Sequence, residues 1–430
     1  MRTRLLLTVM VLVSCGGAVG QAQERVLYSF AGASDGASPI GKLVADSTGN
    51  LYGTTSAGGS TPYCDGCGTV FELSHNTDGT YTESILYGFC EQASCTDGGT
   101  PQAGLVFDAA GNLYGTTLEG GGPQCNQGGG CGTVFELSPP SRSGSPWSFT
   151  LLYQFCQLPG QQACPDGSQP ASKLQFDSFG NLYGTTSRGG ANLVGGVVFE
   201  LSPSSNGWKE TVLYSFCSQK NGGNCADGSV PMAGVAFDKS GNVYGTTEFG
   251  GSNQYIGGGV VYELSNTKGA WKESVLHAFA AQNGPKGGTL LGDVNLDAAG
   301  NLYSTAFQGG SANLGVVFRL NDKGQNERFF SFDGVSGASP TAGVLIDREG
   351  NALYGTTSAG GGGNGTVYKV TGTRESVIYS FNGAGVGDGS EPEGALILDQ
   401  GGSLYGTTKA GGIVTSDCDT GCGTVFEISK

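Results

Sequence analysis

The chain has 430 residues, 37% hydrophobic and only 13% charged, with a formal net charge of −15. That apolar content excludes a disordered chain. The acidic balance excludes a partner recognised by its phosphate backbone, so no nucleic acid is expected. The 80 glycines recur at fixed places rather than in low-complexity tracts, and so mark turns and close backbone approaches.

In chain order the first element is an export signal over residues 1–22. Arg2 and Arg4 precede an apolar run, Leu5 to Val13, that is too short to span a bilayer. Two endings compete. Leu12-Val13-Ser14-Cys15 matches a lipobox, in which Cys15 is lipidated and becomes the mature terminus. Gly20-Gln21-Ala22 suits ordinary cleavage. On the first reading a membrane is met only through that N-terminal lipid, with the rest of the chain outside the cytoplasm.

Residues 25–430 read as one domain of seven tandem repeats. A unit begins with an apolar run ending in Asp, as in Leu43-Val44-Ala45-Asp46. A turn follows, then Leu51-Tyr52-Gly53-Thr54-Thr55. After a variable loop come Gly68-Thr69-Val70-Phe71-Glu72-Leu73 and Ser84-Ile85-Leu86-Tyr87. All four parts are short, rich in β-branched and aromatic residues, and bounded by turn residues, so they predict strands A, B, C and D. Four strands per unit at a period of about 50 to 70 residues predict an all-β fold, a seven-bladed β-propeller with A at the axis and D at the rim. The ends are offset by one strand. Arg25 to Phe30 matches strand D, and Gly423 to Ile428 matches strand C. The N-terminal strand is therefore expected to complete the last blade and close the ring.

The phrase GNLYGTT returns with small changes at Gly49, Gly111, Gly180, Gly241, Gly300, Gly350 and Gly402. Its Asn and Gly suit the A-B turn, its Leu and Tyr face the two neighbouring blades, and its second Gly leaves room for the adjacent sheet. Seven near-identical copies point to structure, not to one asymmetric site. The fifth unit departs most, with Ser304, Ala306 and Arg319, and the sixth inserts Ala352; weaker order or a bulge is expected there. These units, LYGTTxxGG…GTVFEL with VLYSF between them, resemble the GloVer tandem-repeat family of exported bacterial proteins. The resemblance implies a repeat protein held at or beyond the cell envelope by one of several anchors, and no reaction. With no sorting tail after Lys430, Cys15 is the expected anchor.

Apart from Cys15, the cysteines form six local pairs: Cys64/Cys67, Cys90/Cys95, Cys125/Cys131, Cys156/Cys164, Cys217/Cys225 and Cys418/Cys422. Even count, close spacing and an export signal predict disulfides. All six fall in B-C or D-A loops, which leave a propeller on one face, and they crowd the sector from blade seven through blade four. Loops stiffened this way suit binding, or simply resist proteolysis. Tyr63, Asp65, Asp97, Asp166 and Asp227 are the candidate binding residues on this face. Asp-Gly recurs in the D-A loops, and these carboxylates serve either as turn anchors or as a pore-side ring for calcium or a basic partner. The Cys64-x-x-Cys67 spacing alone is a weak zinc or redox signal, so no metal and no cofactor are expected. His75 lies in a C-D turn and His277 in an outer strand, neither placed as a base. Trp147, Trp208 and Trp271 read as packing. The expected function is an exported binding or scaffold module for a polysaccharide or envelope protein. The alternative is a polysaccharide hydrolase or lyase using acids on the same face.

Overall fold

The computed structural model describes residues 23–429 except 123–129, 143, 157–163, 192–194, 222, 252–257, 280–283, 285 and 322. Seven four-stranded antiparallel sheets form the ring. Blade one consists of Val44–Ala45, Leu51–Thr55, Thr69–His75 and Tyr81–Gly88. The next five repeat this order, beginning at Val106–Phe107, Gln175–Phe176, Ala236–Phe237, Asn295–Leu296 and Leu345–Ile346. Blade seven takes Ile397–Leu398, Leu404–Thr408 and Thr424–Ser429 from the C-terminus. Its outer strand is Gln23–Ser29, paired antiparallel with Gln23 opposite Ser429. The Arg25 guanidinium adds a 2.8 Å ion pair to Glu427 across that join. The closure expected from the offset ends is therefore present.

The core is divided among the seams. Leu51, Phe71 and Leu73 of blade one pack with Val425 and Phe30 of blade seven. Tyr52, on the other face of the same strand, packs with Leu105, Leu113 and Phe135 of blade two. A blade alone leaves both faces wet, so apolar burial here stabilises only the assembled ring.

The first threonine of the phrase spans each seam. The Thr54 hydroxyl donates to the Ala103 carbonyl at 2.8 Å, Thr185 to Ala233 at 2.9 Å, and Thr407 closes the circle onto Gly41 at 3.3 Å. The second threonine stays within its blade, with Thr55 Oγ1 2.8 Å from Thr69 Oγ1. The preceding Asp46 accepts the Thr48 and Asn50 backbone N–H groups and holds the A-B turn. One expectation is corrected. A Cβ on Gly53 would stand 2.6 Å from Phe71 Cζ and 3.0 Å from Leu43, so the glycine makes room for its own blade's ring, not for the adjacent sheet.

Bulges are general rather than confined to the irregular units. In blade one the C-D register shifts between Val70 and Phe71, leaving Leu86 as the extra residue. In blade five the shift moves to between Arg319 and Leu320. The Ala352 insertion lengthens the A-B turn, where the Asp347 N–H now donates to the Ala352 carbonyl, and the ladders either side keep their register.

Candidate functional site

The D-A and B-C loops emerge together, as bridges between Ala37 and Ala57 and between Gly99 and Glu119 show. On this face the Asp-Gly carboxylates turn inward. Asp97 is 0% exposed and Asp227 1%. Asp97 accepts from the Tyr87 hydroxyl at 2.7 Å and the Glu91 N–H at 2.9 Å. Asp166 accepts from Tyr153 and the Cys156 N–H, and Asp227 from Tyr214 and the Ser218 N–H. Burial, and then these carboxylates, push the Tyr87 and Tyr153 phenols well above their ordinary range. The three aspartates stand at three different seams as loop anchors and do not converge. Tyr63 is 58% exposed at the tip of a ribbon joining Ser60–Thr61 to Cys64–Asp65.

A second set of carboxyls, missed in the sequence, faces these anchors across the seams. Glu24, Glu83, Glu210, Glu273 and Glu375 lie on outer strands, each with a buried Oε1 that has no hydrogen-bond partner. Burial first, then the neighbouring aspartate, raises Glu210 beside Asp166 to about 8 and Glu83 beside Asp35 to about 7. In blade two Phe149 takes the corresponding place and stacks on Tyr87 at 4.4 Å. The signal that could have found them is a glutamate four residues before the tyrosine of strand D, or before His277 in blade four, in register with Leu73 and its equivalents.

Five of the expected disulfides are formed: Cys64–Cys67, Cys90–Cys95, Cys156–Cys164, Cys217–Cys225 and Cys418–Cys422. Cys131 is disulfide-bonded too, while Cys125 lies outside the described residues, as does Cys15. Oxidised cysteines in this number belong to an oxidising, exported environment. Two sulfur groups, Cys64 with Cys67 and Cys90, and Cys131 with Cys156 and Cys164, each gather within 4.8 Å. Their thiols are spent in disulfides, so they offer no thiolate ligands. Backbone bonds cross the seams beside the bridges, as they also do where no cysteine stands, for instance from Val230 to Gly195. Ser38, with φ of 55°, turns its N–H onto the Cys422 carbonyl at 2.8 Å, and Thr100 does the same onto Cys67.

The loop face carries a cavity of about 520 Å³ where blade seven meets blade one, lined by Gly32, Ala37, Gly58, Ser60, Asp417 and Cys418 among others. Glycine is required in its floor: a Cβ on Gly58, at φ +69°, would lie 2.6 Å from the Ala37 nitrogen. The ribbon below Tyr63 forms one wall. Ile413 and Val414, 55% and 54% exposed, stand in the loop that supplies the other. Neither residue was singled out by the sequence, because ring closure alone brings residues 32–38 beside 417–418.

On the opposite face a groove of about 890 Å³ runs between blades three and four past Phe179, Trp271 and Lys239. Another, of about 380 Å³, lies between blades five and six beside Arg319. His75 is on that face, its ring 5.0 Å from Tyr81. His277 sits on outer strand D, lowered by burial and by Lys286. Trp147 and Trp208 pack edge-on against Tyr52 and Tyr114. Among the described residues no helix is long and apolar enough to cross a membrane.

Ring, seams and disulfide-closed loops together define a seven-bladed β-propeller whose variable surface is its loop face. The repeat phrase places it more narrowly. The chain belongs to the Gloeobacter/Verrucomicrobia repeat family, whose model matches residues 17–256 and again 231–430. No curated protein matches it. Solved structures are similar at low identity. A gluconolactonase from Xanthomonas campestris is 14% identical over 81% of this chain and 89% of its own, with a TM-score of 0.43. A protein of unknown function from Dyadobacter fermentans is 11% identical over 95% and 99%, with a TM-score of 0.42. A chain of the nidogen/laminin complex is 15% identical over 65% and 83%, with a TM-score of 0.39. At this distance a shared activity does not follow.

Proposed function

We propose that this protein is an exported binding module of the cell envelope, anchored through a lipid on Cys15 or released by ordinary cleavage, and that it holds an uncharged polysaccharide on its loop face. One observation carries the reading: the cavity at the seam of blades seven and one lies between two loops, closed by Cys64–Cys67 and Cys418–Cys422, that also carry the exposed Tyr63 and the exposed Ile413 and Val414. Apolar and aromatic side chains on a rigid frame match the apolar faces of sugar rings. Preorganised loops lose little entropy on binding. Asp417 and the net charge of −15 disfavour an acidic glycan. Of the acids first considered for a hydrolase or lyase, Asp97, Asp166 and Asp227 each anchor a loop through hydrogen bonds, and the side chain of Asp65 lies outside the described residues.

The test is retention of the secreted protein on a panel of neutral and acidic polysaccharides, with reducing ends and unsaturated products assayed in the same samples. Retention by neutral glycans without product is expected. Product release would replace binding with catalysis. No retention would turn the face over to an envelope protein and overturn the glycan reading.

A further inference from the structure

The ring axis holds a charge cluster that neither face uses. At the start of strand A, Lys42, Lys173 and Asp293 alternate with Gly104, Gly234 and Gly343 around the axis. A Cβ on Gly234 would stand 3.0 Å from the Lys173 carbonyl and 3.3 Å from Asp293 Oδ1, and one on Gly104 or Gly343 would run into the backbone of Lys42 or Asp293, so the glycines let the innermost strands approach closely around the three charged residues. Lys173 Nζ lies 3.4 Å from Asp293 Oδ2, and the Gly234 N–H donates to Asp293 Oδ1 at 2.7 Å. Lys173 and Asp293 keep 22% and 21% of their side-chain surface accessible, so the throat is deep yet reachable by water.

Lys42 has no such partner: among the described residues its ammonium makes no ion pair or hydrogen bond. Burial and then Lys173 lower it to about 8, against the opposing pull of Asp293. Two ammonium groups facing one carboxylate leave a local charge of +1 inside a molecule of net −15. An uncompensated ammonium in such a place is costly unless something supplies oxygen atoms and one negative charge. A dianion would overshoot that balance and meet the Asp293 carboxylate.

We propose that the axial throat binds a small monoanionic carboxylate, gripped by Lys42 and Lys173, with Asp293 setting the limit of one charge. The site is separate from the loop-face cavity and stands or falls independently of it.

The full protein is melted at pH 6.5 in increasing sodium acetate, chloride or succinate at matched ionic strength, since a ligand that binds only the folded state raises the melting temperature. A saturable rise in acetate, absent in chloride and smaller in the succinate dianion, is expected. Lys42→Ala, which installs the residue blade seven carries at Ala395, should weaken acetate at least about tenfold, as loss of a charge-assisted hydrogen bond does. No rise in acetate, an equal response in Lys42→Ala, an equal response to chloride, or a stronger one to succinate would overturn the proposal. Should Lys42→Ala melt early, the three-anion comparison on the unaltered protein still decides it.

Discussion

At the residue scale, the repeat phrase works through a single hydroxyl at each seam. Thr407 donates to the Gly41 carbonyl between the last blade and the first. Thr407→Val keeps the shape but leaves that buried carbonyl unmet, and should cost about 1–2 kcal/mol in urea unfolding. An unchanged midpoint would show that the bond is not needed for closure. The seam glutamates set the response to pH. Glu24, Glu83, Glu273 and Glu375 are raised from 4.5 to about 7, and Glu210 to about 8, by burial and then by an aspartate. The folded state thus holds these protons more tightly than the unfolded chain. Their contribution is complete below pH 4.5 and is lost as pH rises through about 7 to 8. Asp46 and Asp108 act in the opposite sense: burial raises them, but hydrogen bonds within the A-B turns outweigh it and lower them, so their contribution fades below about pH 4. Melting temperature should therefore fall between pH 5 and pH 8, and Glu210→Gln should flatten part of that slope. A melting temperature that rises over the same interval would contradict the assignment.

At the element scale, Gln23–Ser29 is the lock. Removing residues 23–29 leaves Thr424–Ser429 as an open edge and strips Leu27 and Tyr28 from the seam with blade one. The shortened chain should melt well below the intact one and self-associate through that edge, by light scattering. Equal melting and a monomer would mean the ring does not depend on this strand. This closure was legible in the sequence because Arg25 to Phe30 repeats the pattern of strand D. The tight A-B turns and the disulfide pairs were legible for the same reason, being local. The exchange between Gly53 and Phe71, the bulge at Leu86 and the glutamate seams were not. Each depends on which side chain meets which across a ladder or between blades, and strand alternation alone does not specify that.

At the scale of the molecule, the loops of blades seven and one come from opposite ends of the chain, so the cavity between them exists only in the closed ring. Sequence reasoning pointed to the same loop face that is proposed here, and to Tyr63 on it, but it favoured aspartates whose hydrogen bonds point inward. Anchors and ligands share one spelling, Asp-Gly, and only burial tells them apart. The central claim is that the loop face binds and the turn face does not. The direct measurement compares retention on the best-bound polysaccharide for two surface variants of matched chemistry. Ile413→Ser with Val414→Ser alters the loop face, and Phe179→Ser, at a residue 86% exposed, alters the other. Both should melt as the unaltered protein does, since each removes only exposed apolar surface. The account predicts that retention collapses in the first and persists in the second. Persistence in the first with loss in the second would contradict it and move the binding site to the groove between blades three and four.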